Sequence, residues 1–390
     1  MQVKTLDPLS QQALEEIGLD WHTDTDNSPY ISQDLVIVSQ SEADAYYEAC
    51  NELYEMFVES AQEIIEHDRF FELDIPNSIV PLIKQSWENE VHWHIYGRFD
   101  LAGGLDGKPI KLLEFNADTP TMLYESAVVQ WALLKYNGYD ADLQFNNIHE
   151  ALVENFKRLV TLDEDTSAFE NMYEGWKILF ACIKGSSEEE RTTKFLEDAA
   201  RGAGFESNFA YIDEVQFDKD QGVFLGGINY EYLFKLVPWE NIAIDEPELA
   251  AIMQTMMENQ NTIFLNPAYT LLFQSKRFLK VLWDRYPNHP LLLETRYEPL
   301  SNKKQVKKVA FGREGANVAI LDANGQVLAQ SEGIYGNHKP IYQEYYELNK
   351  AGEFYYQPNV FFAYEACGLG FRKGGLILDN FSKFASHIIR

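Results

Sequence analysis

The stretch YGRFDLAGGLDGKPIKLLEFNADTPTMLYESAVVQW, residues Tyr96–Trp131, contains two strand-like patterns around a Gly-rich turn, followed by a helical pattern. It predicts two β-strands, a tight turn between them and a helix after them. Arg98 and Asp100 are two residues apart and therefore share one face of the first strand, as Glu114 and Asn116 do on the second. The segment thus places four polar side chains on adjacent strands.

The pairing register of these strands decides whether the side chains meet. A three-residue hairpin loop at 106–108 would place Asp100 opposite Glu114, whereas a two-residue Asp-Gly turn would place Asp100 opposite Leu113. In the first register two carboxylates would repel one another at a Cβ separation of about 5 Å unless a cation lay between them. Two carboxylates and the amide oxygen of Asn116 are hard ligands that suit Mg²⁺, so this register predicts a magnesium site.

The same residues also have simpler explanations. Arg98 and Asp100 could form a surface ion pair, and Glu114 could lie on the solvent face of an alternating strand. The next segment favours the functional interpretation, because Thr119-Pro120 is typical of the N-cap and first residue of a helix, which would bring unpaired N–H groups close to the two strands. Such a helix start is an anion site, suited to a carboxylate or a transferring phosphoryl group.

Charge is unevenly distributed along the chain. The sequence has 61 acidic and 32 basic residues, a formal charge of −29, which disfavours a nucleic-acid partner and favours cationic ones. Residues 275–313 nevertheless contain ten Lys or Arg and three Asp or Glu, a local charge of +7. This predicts anion binding there, although a solvated helix face around Lys276 would give the same count. Gly312 and Gly315 at the end of the segment predict a loop that can close over phosphates through its N–H groups.

The sequence gives little support for a zinc site, a disulfide framework, a histidine metal site or a membrane segment. The three cysteines lie far apart in the sequence, so neither a zinc site nor a disulfide framework is predicted. His92 and His94 share a strand face but lack a third ligand at metal-binding spacing, so packing roles are favoured. The chain has no signal-like apolar start and no run of eighteen apolar residues, so we expect a cytoplasmic protein without membrane spans.

The middle of the chain predicts a β-α-β unit. Residues 176–185 are typical of a buried strand, a helix follows with a capping box at Ser187 and Glu190, and a second strand begins near residue 208. From residue 303 onward strand patterns dominate. The fold class predicted from these patterns is α/β or α+β.

Six blocks distributed along the chain carry a resemblance to a known family: YGRFD, LLEFNADTPT, ETRY, KKVAFGREGANV, KPIYQEYYEL and QPNVFFAYEACGLGFRKGG. In this order they resemble the synthetase domain of glutathionylspermidine synthetase, an ATP-grasp carbon–nitrogen ligase family, and particularly its stand-alone acid–amine ligases. The resemblance implies a permuted ATP-grasp fold with an associated pre-ATP-grasp-like β-α-β subdomain. Members that also hydrolyse the amide carry an additional N-terminal amidase, so synthesis alone is expected here.

Four segments are expected along the chain. Residues 1–90 would form an N-terminal helical scaffold, which includes an amphipathic helix at 41–68. Residues 91–165 would supply the metal-binding strands and helix of the ATP-grasp core. Residues 166–260 would form the β-α-β subdomain, and residues 261–390 the nucleotide-binding part.

The resemblance also implies a set of site residues. Arg98 matches the arginine that stabilises the transferring phosphoryl group, and Asp100, Glu114 and Asn116 match the magnesium ligands. The positions that match ATP contacts are Arg98, Asp100, Lys276, Lys308, Gly315, Gln343, Glu344, Gln357 and Arg372. The positions that match contacts to the peptide substrate are Thr119, Glu188 and Glu189. Leu236 stands where a hydroxyl residue contacts glutathione, and it cannot donate that hydrogen bond.

The implied activity is an ATP- and magnesium-dependent ligation. A peptide-like carboxylate would be joined through an acyl phosphate to an amine, for which a polyamine is one candidate, with release of ADP and phosphate. Nucleic acid and membrane are not expected as partners. The composition leaves open a non-catalytic binding protein for a polyamine or cationic peptide. A glycosidase with Asp100 and Glu114 as its acid pair is a third hypothesis, which would give the basic segment no role.

Overall fold

The computed structural model describes residues 1–390 as a mixed α/β protein. Its strands are β1 (Val3–Thr5), β2 (Ile31–Val38), β3 (Gly97–Ala102), β4 (Lys111–Asn116), β5 (Lys177–Cys182), β6 (Glu206–Tyr211), β7 (Gln216–Asp218), β8 (Gly222–Leu225), β9 (Ile228–Tyr230), β10 (Tyr232–Leu236), β11 (Ile263–Leu265), β12 (Thr295–Arg296), β13 (Gln305–Val309), β14 (Ala319–Leu321), β15 (Val327–Gln330), β16 (Pro340–Glu344), β17 (Asn349–Ala351), β18 (Phe354–Ala363), β19 (Glu365–Gly374) and β20 (Lys383–Ile389). Its α-helices are α1 (Gln11–Glu16), α2 (Gln40–Glu66), α3 (Val80–Glu88), α4 (Gln130–Tyr136), α5 (Ile148–Thr161), α6 (Phe169–Met172), α7 (Ser187–Ala203), α8 (Trp239–Asp245), α9 (Pro247–Glu258), α10 (Thr270–Gln274) and α11 (Phe278–Arg285). The predicted fold class is confirmed.

The largest sheet draws strands from both ends of the chain. Its order is β1-β2-β20-β19-β18-β3-β4, with β17 added beside β18. Strands β2 and β20 run parallel, and the other neighbours run antiparallel. The strands that carry the predicted metal ligands therefore lie at one edge of a sheet whose other strands come from the N- and C-terminal parts of the chain.

Helix α2 packs against strands β3 and β4, which carry the predicted metal ligands. It begins with a capping box between Ser39 and Glu42 and agrees with the predicted amphipathic helix within two residues at each end. Its buried Phe57 contacts Phe99 and Phe115, whose rings stack at a centroid distance of 3.9 Å. This aromatic layer makes the inner face of β3 and β4 a closely packed platform.

The turn between β3 and β4 is shorter than the loop that was assumed. The N–H of Lys108 donates to the carbonyl of Leu105 at 3.1 Å, and only Asp106 and Gly107 lie between them. Both have positive φ, 53° and 73°, as a two-residue hairpin turn requires. The three-residue loop is therefore wrong.

A β-bulge nevertheless restores the predicted register. The pairing shifts between Asp100 and the next residue, which leaves Leu113 as the extra residue on β4. Asp100 consequently lies opposite Glu114, and Arg98 lies opposite Asn116. The predicted pairing is confirmed, although it depends on the bulge and not on the length of the turn.

The middle of the chain forms the predicted β-α-β unit. Strands β6, β5, β10 and β11 make a parallel sheet, and α7 connects β5 to β6. The N-cap of α7 is Ser186 and not Ser187, because Ser186 is the extended residue whose hydroxyl accepts from the N–H of Glu189 at 3.2 Å. Two further sheets are antiparallel, with orders β12-β16-β13-β14-β15 and β7-β8-β9.

The helix after β4 begins later than predicted. Thr119-Pro120 does not start it; the first helical residue is Leu123, directly after Met122 at a φ of 66°. Residues Glu125–Val129 form a π-helical turn that continues into α4. The free N–H groups of this helix are thus further along the chain than the sequence pattern suggested, and the π turn brings the Glu125 side chain into a buried position.

The division of the chain into four segments remains a prediction. Within residues 1–90 the structure places β1 and β2 of the large sheet in addition to α2. No helix has both the length and the apolar content that crossing a lipid bilayer requires.

Two glycines of the β3–β4 connection provide a matched test of this geometry. Both have positive φ, but a Cβ at Gly103 would lie 2.0 Å from the carbonyl oxygen of Pro109, whereas a Cβ at Gly107 would meet nothing within 4 Å. We expect Gly107→Ala to lower the free energy of unfolding by about 1–2 kcal/mol, the usual penalty for a left-handed residue, and Gly103→Ala to lower it by clearly more. Urea unfolding measures both. Equal losses would contradict the close approach at Gly103.

Candidate active site

Arg98 and Asp100 form a buried, bidentate ion pair on β3. The Nε of Arg98 donates to Oδ1 of Asp100 at 2.7 Å, and its Nη2 donates to Oδ2 at 3.0 Å. The remaining Nη1 donates to the carbonyl of Thr121 at 2.7 Å. Burial by itself would lower the pKa of Arg98, but the adjacent carboxylate raises it. The pair is therefore charged and internal, and the surface-pair explanation is wrong.

Glu114 on β4 contacts a different cation. Its Oε2 lies 2.9 Å from Nζ of Lys276, and its Oε1 accepts a long hydrogen bond of 3.4 Å from Asn116. Burial would raise the pKa of Glu114, but Lys276 and Lys308 together lower it to about 2. Two opposed carboxylates are thus each balanced by a cation from a different part of the chain.

The bulge on β4 helps to hold a second lysine. Because Leu113 is outside the regular pairing, its carbonyl accepts from Nζ of Lys308 at 3.1 Å. Gln343 accepts from the same Nζ at 2.9 Å and donates to the carbonyl of Leu112 at 3.1 Å. Burial lowers the pKa of Lys308 to about 8. The amide of Gln343 is therefore occupied in orienting Lys308.

The loop at residues 312–315, called the Gly-rich loop below, lies against the connection between β19 and β20. Lys276 donates to the carbonyl of Gly312 at 2.6 Å, which links the loop to the carboxylates. Gly315 has a φ of 68°, and a Cβ there would lie 2.1 Å from the carbonyl oxygen of Leu378. On the other side of this contact, Arg372 donates to the carbonyl of Asp379 at 2.7 Å. Only glycine fits position 315.

One cavity between the large sheet and the five-stranded sheet collects most of the predicted site. Twelve of the fourteen predicted residues line it: Arg98, Asp100, Glu114, Asn116, Thr119, Lys276, Lys308, Gly315, Gln343, Glu344, Gln357 and Arg372. Gln357 and Arg372 face one another across β18 and β19. The structure therefore brings together residues that are up to 274 positions apart in the sequence, from Arg98 to Arg372.

Glu188 lies outside this cavity, in a compartment with a second acid. It accepts from the N–H of Met122 at 3.4 Å. The neighbouring Glu125 is buried; its Oε1 accepts from Trp21 at 3.0 Å and from Tyr30 at 2.9 Å, and its Oε2 has no hydrogen-bond partner. Desolvation raises the pKa of Glu188 to about 8, and repulsion from Glu125 adds to the shift. Two neighbouring acids, one of them with a buried oxygen that has no partner, would favour the binding of a positively charged group.

Glu189, the next residue, faces a separate groove. That groove is also lined by Leu236 and by Arg313 of the Gly-rich loop. Arg313 forms an ion pair with Glu240 and donates to the hydroxyl of Thr119 at 3.4 Å. Since Arg313 and Thr119 also line the main cavity, the groove continues directly from it.

Two further residues, which the sequence patterns did not indicate, hold the predicted metal ligands in place. Asn359 on β18 lies opposite Asp100 and donates to its Oδ1 at 2.7 Å, while its own Oδ1 is buried without a partner. Gln274 accepts from the N–H of Ala117 at 2.9 Å and donates to Oδ1 of Asn116 at 3.4 Å. An asparagine within the apolar strand QPNVFFA and a glutamine just before Lys276 are the signals that could have indicated them.

The donor set at the opposed strands fits a hard divalent ion. Asp100, Glu114 and Asn116 offer carboxylate and amide oxygens on paired strands, and the unpartnered oxygen of Asn359 lies beside them. No three side chains of the His, Cys, Asp and Glu types converge on a metal-binding geometry. An ion bound here would therefore combine the two acids with amide oxygens and water.

The two histidines before β3 are packing residues. Both are buried, and burial lowers the pKa of each to about 4, so they are neutral at physiological pH. His94 contacts the hydroxyl of Tyr54 at 3.1 Å and the carbonyl of Ala117 at 2.8 Å. His94 therefore connects α2 to the segment that carries Asn116.

The fold and the cavity together define an ATP-grasp-type ligase. The chain belongs to the glutathionylspermidine synthase pre-ATP-grasp family, which matches residues 1–390. It is 32% identical to a Haemophilus influenzae protein provisionally named an acid–amine ligase, over 96% of this chain and 95% of that protein. It is 26% identical to the bifunctional glutathionylspermidine synthetase/amidase of Escherichia coli and 24% identical to the trypanothione synthetase of Crithidia fasciculata.

These two synthetases are longer proteins. The matches cover 86% and 78% of this chain but only 56% and 48% of the Escherichia coli and Crithidia fasciculata proteins. Among solved structures, a glutathione synthetase-like effector from Globodera pallida shares the fold, with a TM-score of 0.58, 11% identity and 98% coverage of both chains. The predicted family, fold and enzyme class are confirmed.

The raised pKa of Glu188 has a consequence for stability. From its ordinary value of 4.5 up to about 8, the folded protein keeps a proton that the unfolded chain has lost, so stability falls as pH rises through this window. We expect Glu188→Gln to gain stability relative to wild type as the pH rises from 4.5 to 8, with a constant difference below that range. Thermal unfolding across pH measures this. Glu55→Gln, at an exposed position on α2, is the control and should show no such trend.

Proposed function

We propose that this protein joins a carboxylic acid to an amine at the expense of ATP. The observation that carries the proposal is the cavity in which two opposed carboxylates meet three cations, Arg98, Lys276 and Lys308. Three cations against two carboxylates leave one net positive charge, and a Mg²⁺ ion held by the carboxylates would add two more, so the cavity would favour a polyanion such as a triphosphate. The family to which the chain belongs supports the same assignment.

The charged groups of the cavity have separate roles in this proposal. Lys276 and Lys308 bind nucleotide phosphates from the two sides of Glu114, and Arg98 binds the phosphoryl group in transit. Asp100, Glu114 and Asn116 would hold Mg²⁺, which when bound supplies charge neutralisation to the phosphate oxygens. The base and ribose occupy the part of the cavity near Glu344 and Gln357. Closure of the Gly-rich loop excludes water.

The proposed reaction has two steps. A carboxylate oxygen of the acid attacks the γ-phosphorus of ATP, the bond to the β-phosphate oxygen breaks, and ADP leaves. The neutral nitrogen of the amine then attacks the carbonyl carbon of the acyl phosphate, the carbon–oxygen bond to phosphate breaks, and the departing phosphate takes up the proton that the nitrogen loses. Both steps build negative charge on oxygens, which the Arg98 guanidinium stabilises from its fixed position on β3.

We assign the amine to the pair of acids Glu125 and Glu188, although the family resemblance matches Glu188 to a contact with the peptide substrate. A buried carboxylate oxygen without a partner, next to a second acid, favours an ammonium group. The compartment adjoins the cavity, since Arg98 and Arg372 both lower the pKa of Glu188 electrostatically. An acidic chain of charge −29 would also attract a polyamine at low ionic strength.

The alternatives fit less well. A glycosidase would need Asp100 and Glu114 free to exchange protons, but Asp100 is held by Arg98 and Asn359, and Glu114 by Lys276. A binding protein without turnover would not need two buried lysines beside the carboxylates, and the relatives of this chain are named ligases and synthetases.

A charge-neutral substitution tests the assignment of the opposed acids. We expect Glu114→Gln to lower ADP formation at least about a hundredfold when ATP, magnesium, an acid pool and an amine pool are supplied, because one ligand charge is lost while the shape is kept. ADP must rise in the wild type only when acid and amine are both present. Glu55→Gln, which changes the same charge on the exposed face of α2, should retain full activity. Unchanged turnover in Glu114→Gln would contradict the assignment of Glu114 as a metal ligand.

A second substitution tests the amine compartment. We expect Glu125→Gln to raise the KM for the amine about tenfold or more with a smaller change in the KM for ATP, because only the amine contacts this pair. The measurement is steady-state ADP release at varied amine concentration. An equal rise in both constants would instead indicate a general structural role for Glu125.

A further inference from the structure

Arg313 is the one cationic side chain of the Gly-rich loop, and it links the loop to helix α8 and to the segment after β4. Its guanidinium forms an ion pair with Glu240, which lies in the first turn of α8. Its Nη1 donates to the hydroxyl of Thr119 at 3.4 Å. The backbone of the loop is held separately, since Lys276 donates to the carbonyl of Gly312 at 2.6 Å. The side chain of Arg313 therefore provides a second, independent attachment of the loop.

Glu240 is buried in a way that stability alone does not explain. Its side chain is 5% exposed, and its Oε1 pairs with Arg313. Its Oε2 is buried without a hydrogen-bond partner. A carboxylate oxygen that leaves water without finding a partner lowers the free energy of unfolding, a penalty that an apolar side chain at this position would avoid. The carboxylate is therefore better explained by the cation that it binds.

The start of α8 is fixed to the segment that carries the predicted metal ligands. The N–H of Trp239 donates to Oδ2 of Asp118 at 2.9 Å, and Asp118 lies two residues after Asn116. The buried Lys235 lies 3.5 Å from Oδ1 of Asp118 and 3.9 Å from the centre of the Trp239 ring. Glu240 therefore has a fixed position relative to Asn116, and the Gly-rich loop, which has no regular secondary structure, is the partner that can move.

The connection from β15 to β16 is attached to the end of the Gly-rich loop. Asn317 donates to the carbonyl of Gly333 at 3.1 Å and accepts from the N–H of Tyr335 at 2.9 Å. The hydroxyl of Ser331 donates to the carbonyl of Gly315. A contact that holds the Gly-rich loop in place consequently holds the neighbouring connection as well.

We infer that Glu240 is a positioning residue that, through Arg313, holds the Gly-rich loop closed over the phosphate cavity. The inference rests on the proposed function, which it deepens by naming the contact that keeps water away from the acyl phosphate. If the loop opens during turnover, the oxygen of a water molecule attacks the carbonyl carbon and the carbon–oxygen bond to phosphate breaks. The carboxylate is regenerated, phosphate takes up the two protons of the water, and ATP has been consumed without an amide.

Cleavage by trypsin after Arg313 tests this contact without any substrate. Trypsin cuts after Lys or Arg only where the backbone opens, so the rate of cleavage reports how often the loop is released. We expect Glu240→Gln to be cut between Arg313 and Glu314 about fivefold faster than the wild type or more, with fragments 1–313 and 314–390 identified by mass. The side chain of Arg313 is 28% exposed and can turn into solvent, so the variant is expected to fold.

Glu197→Gln is the matched control for the loss of a buried ion pair. Glu197 is also buried, lies 2.5 Å from Arg201 on α7, and lines neither the cavity nor the groove. Cleavage after Arg313 should keep its wild-type rate in this variant. Glu240→Asp, which keeps the carboxylate but shortens the side chain, should be cut at an intermediate rate and replaces Glu240→Gln if that variant does not fold. Wild-type rates at both Glu240 variants, or equal acceleration in Glu197→Gln, would overturn the inference.

The ratio of ADP formed to amine consumed measures the consequence for the reaction. With ATP, magnesium, an acid pool and an amine pool, we expect a ratio of about one in the wild type and in Glu197→Gln, and a ratio at least about threefold higher in Glu240→Gln, because water then competes with the amine. An unchanged ratio in Glu240→Gln would refute the inference while the ligase activity stands. If the wild type forms no ADP with any acid and amine, the proposed function fails, and the cleavage rates alone decide whether Glu240 holds the loop.

Discussion

Two carboxylates directly opposite one another on paired strands are the constraint on which this structure depends. Asp100 and Glu114 would repel at that distance, so each needs a cation. Arg98 supplies one from the same strand, and Lys276 supplies the other from a segment 162 positions beyond Glu114. Pairing buried charges in this way contributes little net stability but fixes their geometry. The arrangement is therefore better explained by the phosphate chemistry it permits.

The backbone supports this arrangement through a local irregularity. The bulge at Leu113 sets the register that opposes the acids, and it also provides the carbonyl that accepts from Lys308. Gln343 completes the contact from the neighbouring sheet. One extra residue in a strand thus couples the position of a carboxylate to that of a lysine on the neighbouring sheet, which regular pairing could not do.

The first turn of α7 places two successive glutamates in different surroundings near the cavity. Successive glutamates at a helix start point in different directions because of helical geometry, so Glu188 and Glu189 serve different compartments. Glu188 lies near the buried acid Glu125, whereas the groove at Glu189 is lined in part by apolar side chains. Two acidic side chains that are adjacent in the sequence therefore face different surroundings of one cavity.

The sequence by itself determined the local elements, the fold class and the residue types of the site. Strand alternation, the apolar stripe of α2 and the six family blocks depend on short-range periodicity and on side-chain chemistry, both of which are visible in one dimension. The predicted start of the helix after β4 was wrong, because Met122 adopts a positive φ that no local pattern indicates. Only the tertiary structure decided the contacts of Asn359 and Gln274 and the separation of Glu188 from Glu189, because these depend on partners between roughly 60 and 260 residues away whose positions follow from packing. It also decided the bulge between the neighbouring strands β3 and β4, which no local pattern indicates.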